Sequence, residues 1–190
     1  MNYGSYSRAL CLLITAALLS GCESVSPINV VRYSSNPLAL QVLLDNPNSS
    51  VSVGSINMGQ GIGEKLSCLN EEIPLPDGAT IAEYIRTSLI AELAAAGQYN
   101  PNAQNTISGS IETAELNFNR RVMLAAHGGS WHIQISLTST NGESIVVKSS
   151  HSYDTGYAPI RCNIAADYVM PAIQTLIYDI VRDSEFHELY

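Results

Sequence analysis

The chain reads as an α+β protein: a two-layer sandwich with a mainly antiparallel sheet and two helices on one face. Three stretches carry that expectation. Trp131, Ile133, Ile135 and Leu137 alternate with polar residues, and Ile145, Val147 and Tyr153 take the matching odd positions beyond Asn141-Gly142, which is the period of a hairpin with one buried face. Thr80 and Glu83 form a capping box ahead of Ile81, Tyr84, Ile85, Leu89 and Leu93, a single helical stripe that Gly97 ends. Val169, Ile173, Leu176, Ile177 and Ile180 make a second stripe near the C-terminus. Two one-sided helices and an alternating hairpin need each other, because each has an apolar face to hide.

The remaining elements follow in chain order. Ser24 to Pro37 holds Ser, Pro and Asn around a short apolar patch from Ile28 to Val31 and reads as a tether. Leu38, Leu40, Val42 and Leu44 alternate, which predicts a strand, and the cluster Asn46 to Ser50 predicts a turn. Val51 to Met58 predicts a second strand, with a bulge where its apolar parity shifts across Gly54. Gly59-Gln60-Gly61-Ile62-Gly63 is only superficially a nucleotide-binding glycine loop. That motif needs a helix opening at its last glycine, and here Pro74 and Pro76 intervene; a flexible loop is the reading.

Beyond the first helix, Thr106 to Phe118 predicts a strand with a parity switch near Glu112 to Ala114. Arg120-Arg121 and Gly128-Gly129 then mark a connecting loop. In the hairpin, a two-residue turn would set Leu137 beside Val146. A three-residue loop, Thr140-Asn141-Gly142 with Gly142 left-handed, pairs Leu137 with Ile145 and Ile135 with Val147, and is preferred. The last helix is expected from Asn163 as its cap to Ser184, kinked or divided at Pro171.

Composition limits the function. Seventeen acidic residues against nine Lys and Arg give a net charge of −8. Nucleic acid is excluded as a partner, because phosphate binding needs clustered Lys and Arg. Electrostatic docking on anionic lipid is disfavoured for the same reason. Catalytic signatures are lacking: there is no Gly-x-Ser-x-Gly and no His-Glu-x-x-His. His132 points away from the apolar hairpin face, His151 lies on that face opposite Trp131, His127 falls in a loop and His187 near the terminus. No enzyme, cofactor or metal site is expected. Arg120-Arg121 could meet an anionic group but reads more readily as a solvated loop, and the many tyrosines suit an interaction face without locating it.

The N-terminus decides where the protein works. Arg8, an apolar run from Ala9 to Leu19 and small residues before a cysteine describe a secretory signal, too short to span a bilayer. Leu19-Ser20-Gly21-Cys22 resembles the bacterial lipobox, in which the cysteine is acylated on sulfur, cleaved on its N-terminal side and acylated again on nitrogen. The alternative is a plain signal peptide with a chance cysteine. The resemblance implies a signal peptide over 1–21, a lipidated N-terminus and tether over 22–37 with Cys22 as the acyl site, and one periplasmic domain over 38–190. Glu23, where aspartate would favour the inner membrane, points to the outer membrane facing the periplasm. Cys11 leaves with the signal, so Cys68 and Cys162 remain; two thiols in an exported chain read as a disulfide or as two separate buried thiols.

The order of lipobox, strand, capped helix, strand, hairpin and closing helix resembles a group of small envelope lipoproteins. They include YajG-type lipoproteins, the lipopolysaccharide-assembly lipoprotein of the outer membrane and auxiliary lipoproteins of lipid transporters. The resemblance implies a non-catalytic binding module, anchored in the membrane by its acyl chains and meeting an envelope protein partner; the alternative is an accessory that handles lipid or glycolipid. Replacing Cys22 with Ser is expected to leave uncleaved precursor that takes up no labelled palmitate, scored by immunoblot and autoradiography; mature, unmodified protein in the wild-type periplasm would refute the acyl site.

Overall fold

The computed structural model describes residues 28, 30–47, 49–119, 127–156 and 161–190, leaving Cys22 and the Arg120-Arg121 pair outside the described residues. A four-stranded sheet of order β1-β4-β5-β6 forms the base, from β1 (Ser52–Met58), β4 (Thr106–Asn119), β5 (His127–Ser139) and β6 (Ser144–Gly156). The two pairings within β4-β5-β6 are antiparallel, whereas β1 runs parallel to β4 because a helix crossover joins them. That crossover contains a small antiparallel hairpin, β2 (Leu66–Cys68) with β3 (Glu71–Ile73), and helix α2 (Ile81–Ala95). Helices α3 (Cys162–Asp167) and α4 (Val169–Val181) close the chain, and α1 (Pro37–Asp45) precedes β1. Helix α2 lies over β1 and α4 over β6, and the two touch each other, so both cover the same sheet face. The expected α+β sandwich is therefore the fold.

Each predicted boundary has a local cause. The Thr80 side chain accepts the Glu83 backbone N–H at 3.2 Å and opens α2, and Gly97, at φ +72°, closes it. The register of β1 against β4 shifts between Val53 and Ile56, and that of β4 against β5 between Ile111 and Thr113, where the apolar parity switches. Leu137 pairs with Ile145 and Ile135 with Val147 through a loop whose Gly142 has φ +97°, as the bulged turn requires. Tyr168 breaks the C-terminal helix into α3 and α4 three residues before Pro171. The span Cys162–Val181 is long and apolar enough to cross a membrane, but half of it is buried in the core, with Ile173, Leu176 and Ile177 fully enclosed.

Four local expectations are corrected. Leu38 to Leu44 is helix rather than strand: the Asn36 side chain accepts the Leu38 N–H, Pro37 occupies the first turn, and Ala39 and Leu43, four apart, are the buried pair. Those start signals outweigh an alternation that only half-buries Leu40 and Val42. Gly128-Gly129 belongs to β5, as does His127, instead of a loop. A Cβ at Gly128 would stand 2.3 Å from the Tyr153 carbonyl oxygen and one at Gly129 2.5 Å from the Tyr153 hydroxyl, so these glycines admit the neighbouring strand and its ring. The last helix opens at Cys162, with Arg161 rather than Asn163 at the cap position. Finally, the domain starts before residue 38, since Val30 is 3% exposed and packs in the core.

Cys68, at the end of β2, and Cys162, at the start of α3, are joined by a disulfide with their Cα atoms 5.6 Å apart. The hairpin that carries Cys68 turns on Leu69 and Asn70, both with positive φ. Such a turn normally recruits Asn-Gly, so the leucine hid it from the sequence reading. The bond spans 94 residues of sequence and ties the crossover to the closing helices. Removing it in the Cys68→Ala/Cys162→Ala variant is expected to cost about 2–4 kcal/mol. A fall of roughly 4–16 °C in the thermal midpoint, read by circular dichroism, corresponds to that cost for a domain of this size. The domain should stay folded at room temperature, because its core is built by the sheet and helices.

Candidate functional site

Strand alternation sorts the sheet into two unlike faces. Trp131, Ile133, Ile135, Leu137, Ile145, Val147 and Tyr153 are buried under the helices. Three polar side chains on that side are tied to the helix layer, whereas the buried Tyr153 hydroxyl and Ser139 Oγ find no hydrogen-bond partner among the described residues. Trp131 Nε1 donates to the Ala165 carbonyl at 3.2 Å, Ser149 Oγ donates to Asp179 at 2.7 Å, and His151 Nδ1 meets Thr175 Oγ1 at 2.9 Å. His151 is therefore the half-buried histidine of the apolar face, and burial lowers its pKa below the usual histidine value.

The opposite face carries Ser110, Ser136 and Val146 in one row, Thr113, Gln134 and Lys148 in the next, and Glu115, His132 and Ser150 in a third. Its outer strand leaves Val146, Lys148, Ser150 and Ser152 exposed. At the β4 bulge a hollow of about 220 Å³ opens among Thr113, His132, Gln134, Lys148 and Ser150. The bulge creates it, since the extra residue pulls β4 out of register with β5. Hydroxyls, an amide, an imidazole and one ammonium line this hollow, so it offers hydrogen bonds in both directions and little net charge.

His132 Nε2 lies 2.8 Å from Ser130 Oγ. Ser130 is only 6% exposed, which keeps its hydroxyl from a substrate carbonyl, and no described carboxylate bonds the other ring nitrogen. Among the described residues the pair has neither a bonded carboxylate nor the exposed hydroxyl that nucleophilic catalysis uses. Among the described residues no three His, Cys, Asp or Glu side chains gather as metal ligands.

The N-terminal segment forms a second polar locus, absent from the sequence reading. Glu92 of α2 is fully buried; its Oε2 accepts the Tyr33 hydroxyl at 2.6 Å and the Asn36 backbone N–H at 3.0 Å, while Oε1 has no protein partner among the described residues. Tyr84 donates its hydroxyl to the Val31 carbonyl at 2.8 Å, Gln174 Nε2 donates to the Ser34 carbonyl at 2.8 Å, and Asn36 Nδ2 donates to the Gln174 carbonyl at 3.0 Å. Residues 31–36 are thus clasped to α2 and α4. A hollow of about 400 Å³ lies beside the clasp, lined by Arg32, Tyr33, Asp77, Glu83 and Tyr84. The Arg32–Asp77 pair across its mouth, 2.7 Å apart and mostly exposed, contributes little. One signal did exist: Glu92 sits within the buried stripe of α2, where a carboxylate needs a partner.

Tyrosines serve these internal seams rather than an exposed face. Every described tyrosine is buried or half-buried. Tyr153 stacks on Tyr168 at 4.4 Å, and Tyr190 donates to Gln98 Oε1 at 2.7 Å.

The class these features define is an α+β sandwich whose sheet has one filled face and one polar face that no described helix covers. No family model matches the chain, and no curated protein matches it. The fold is similar to that of protein XCC0632 from Xanthomonas campestris, of family DUF330, with a TM-score of 0.50 and 9% identity over 80% of this chain and 90% of that one. Hypothetical protein CT253 from Chlamydia trachomatis overlaps at a TM-score of 0.36, 12% identity and 74% and 98% coverage. A PelC variant dodecamer from Paraburkholderia phytofirmans overlaps at 0.32, 14% identity and 78% and 92% coverage. At such identity the first likeness is one of fold, and the other two fall short of even that.

The buried phenols set the alkaline limit of the fold. Burial raises Tyr84 and Tyr153 to about 12, Tyr153 with help from the nearby Tyr168. Tyr190 is raised further by burial, and Tyr33 by burial and then by its bond to Glu92. A folded pKa above the unfolded value of about 10 means that stability is intact below about pH 10 and declines as pH rises past it. Thermal midpoints should therefore hold to about pH 10 and drop steeply between about pH 10 and 12, with the phenolate absorbance of these four tyrosines appearing together with unfolding. Ionisation of Tyr33, Tyr84, Tyr153 and Tyr190 at about pH 10 while circular dichroism stays native, assigned by Tyr→Phe difference spectra, would contradict this.

Proposed function

We propose that the protein is a lipid-anchored, non-catalytic binding module of the bacterial cell envelope, acylated at Cys22 and presenting its open sheet face to a protein partner. The observation that carries the reading is the division of the sheet: the anchor-proximal segment and the helices lie on one side, and a polar face that no described helix covers lies on the other. The lipobox-like Leu19-Ser20-Gly21-Cys22 supports anchoring in the outer membrane, facing the periplasm. A disulfide between Cys68 and Cys162 suits an oxidising compartment. The fold shared with a Xanthomonas campestris protein supports a bacterial setting.

The competing role, handling a lipid or glycolipid, calls for an apolar groove between sheet and helices. Ile107, Ile111, Ile135, Leu137, Ile173, Leu176 and Ile177 are fully buried along that interface, so the space an acyl chain would need is occupied by side chains. The polar hollows at the clasp and on the open face lie outside it, and a third, of about 550 Å³ where β1 meets the start of α2, is lined by Gly54, Ser55, Ile56, Thr80, Glu83 and Arg86, with Ile56 its one large apolar side chain. Binding at the open face is the reading this packing favours.

Affinity capture from cross-linked envelope extracts, with the lipidated protein as bait, tests the reading. A defined envelope protein should be recovered by the wild type and reduced about tenfold by the Gln134→Glu/Lys148→Glu double variant, since charges misplaced across an interface cost several kcal/mol. Equal recovery by both baits would remove the open face from the proposal, and recovery of co-purifying lipid in place of protein would favour the competing role.

A further inference from the structure

Five large hydrophobic side chains stay exposed among the described residues, and three of them, Val31, Leu38 and Leu44 at 53%, 58% and 56%, lie within fourteen residues of one another near the N-terminus. Helix α1 is apolar on nearly every side, carrying Gln41 and Asp45 as its only strongly polar residues. Ala39 and Leu43 are buried against the domain, while Leu38 and Leu44 flank Gln41 on the outside. A helix apolar on all sides normally has a second surface to meet.

Chain length and charge identify that surface. Val30 is packed in the core, and residues 31–36 are clasped by Glu92, Tyr84 and Gln174, so the domain cannot release chain here without breaking those bonds. From Cys22 to Val30 the chain extends at most about 27 Å. An anchor at Cys22 therefore holds the clasped segment and α1 near the bilayer. The exposed outer residues include no Lys or Arg in α1, in keeping with a net charge of −8; contact with lipid here would be apolar rather than electrostatic.

We propose that Leu38 and Leu44, on the outer side of α1, form a membrane-facing patch that rests on the bilayer holding the acylated Cys22, so that α1 lies against the lipid and the open sheet face is turned away. The orientation follows from the fold: α1 packs on α2 and α4, which cover one sheet face, and the Thr113–Lys148 hollow lies on the other. The patch deepens the anchored-module reading and rests on acylation of Cys22.

The test uses full-length lipidated protein in phosphatidylethanolamine–phosphatidylglycerol vesicles containing lipids with a shallow doxyl quencher. Leu38→Trp, Leu44→Trp and, on the open face, Val146→Trp are compared after subtracting the wild type, whose single Trp131 is buried. Mass spectrometry of the Cys22 peptide reports the anchor independently. Quenching at positions 38 and 44 should exceed that at 146 by more than about threefold, as expected for side chains at the headgroup–acyl boundary. Equal quenching at all three positions with an acylated Cys22 overturns the patch and leaves the anchor standing; an unacylated Cys22 overturns both. A blue shift at 38 and 44 without quenching, with a doubled native mass, would give this face to a second copy of the chain and likewise overturn the proposal.

Discussion

Everything in this structure depends on hiding one face of the β4-β5-β6 sheet from water. Ile107, Ile111, Ile135 and Leu137 lose all exposure there, and Trp131 and Ile133 nearly all. Burying side chains of this size contributes about 1.5–3 kcal/mol each. Helices α2 and α4 provide the cover with Ile85, Leu89, Ile173, Leu176 and Ile177, all fully buried. The β4 bulge matters for the same reason. By moving the apolar positions from Ile107 and Ile111 to Ala114 and Leu116, it keeps the inner face continuous along a fourteen-residue strand. The open-face hollow is a consequence of that repair.

The polar groups Ser149, His151 and Trp131, left inside this apolar layer, are each matched. Ser149 and His151 reach Asp179 and Thr175 on α4, and Trp131 reaches the end of α3. These bonds set where α4 sits along β6, which burial alone, being non-directional, would leave free to slide. The Cys68–Cys162 bond adds a covalent limit at the other end of the same helix pair. Packing and polar pairing thus point to one arrangement of the closing helices.

The N-terminal clasp changes what an anchor at Cys22 would mean. A free tether to residue 37 would let the domain explore a wide volume. With residues 31–36 bound to α2 and α4, the free length is cut roughly in half, and the domain has a preferred side toward its anchor. Glu92 makes that possible at a cost, since a buried carboxylate is tolerated only when hydrogen-bonded, and one of its oxygens has no protein partner among the described residues.

By itself the sequence determined the fold class, both long helices, the long strands from Val51 onward, both bulges and the register of the hairpin. Those features are written in local signals: the Thr80–Glu83 cap, the alternation around Asn141-Gly142 and the parity switches near Gly54 and Glu112. The residue types at Cys68 and Cys162 also made a bridge readable, because thiols are few and exported chains oxidise them. Only the tertiary structure decided that Pro37–Asp45 is helical, that β1 lies parallel beside β4, that Leu69-Asn70 turns a hairpin and that Glu92 clasps Tyr33 and Asn36. In each of these the deciding partner lies tens of residues away or the local residue type argues for something else, so short-range periodicity carries no trace of it.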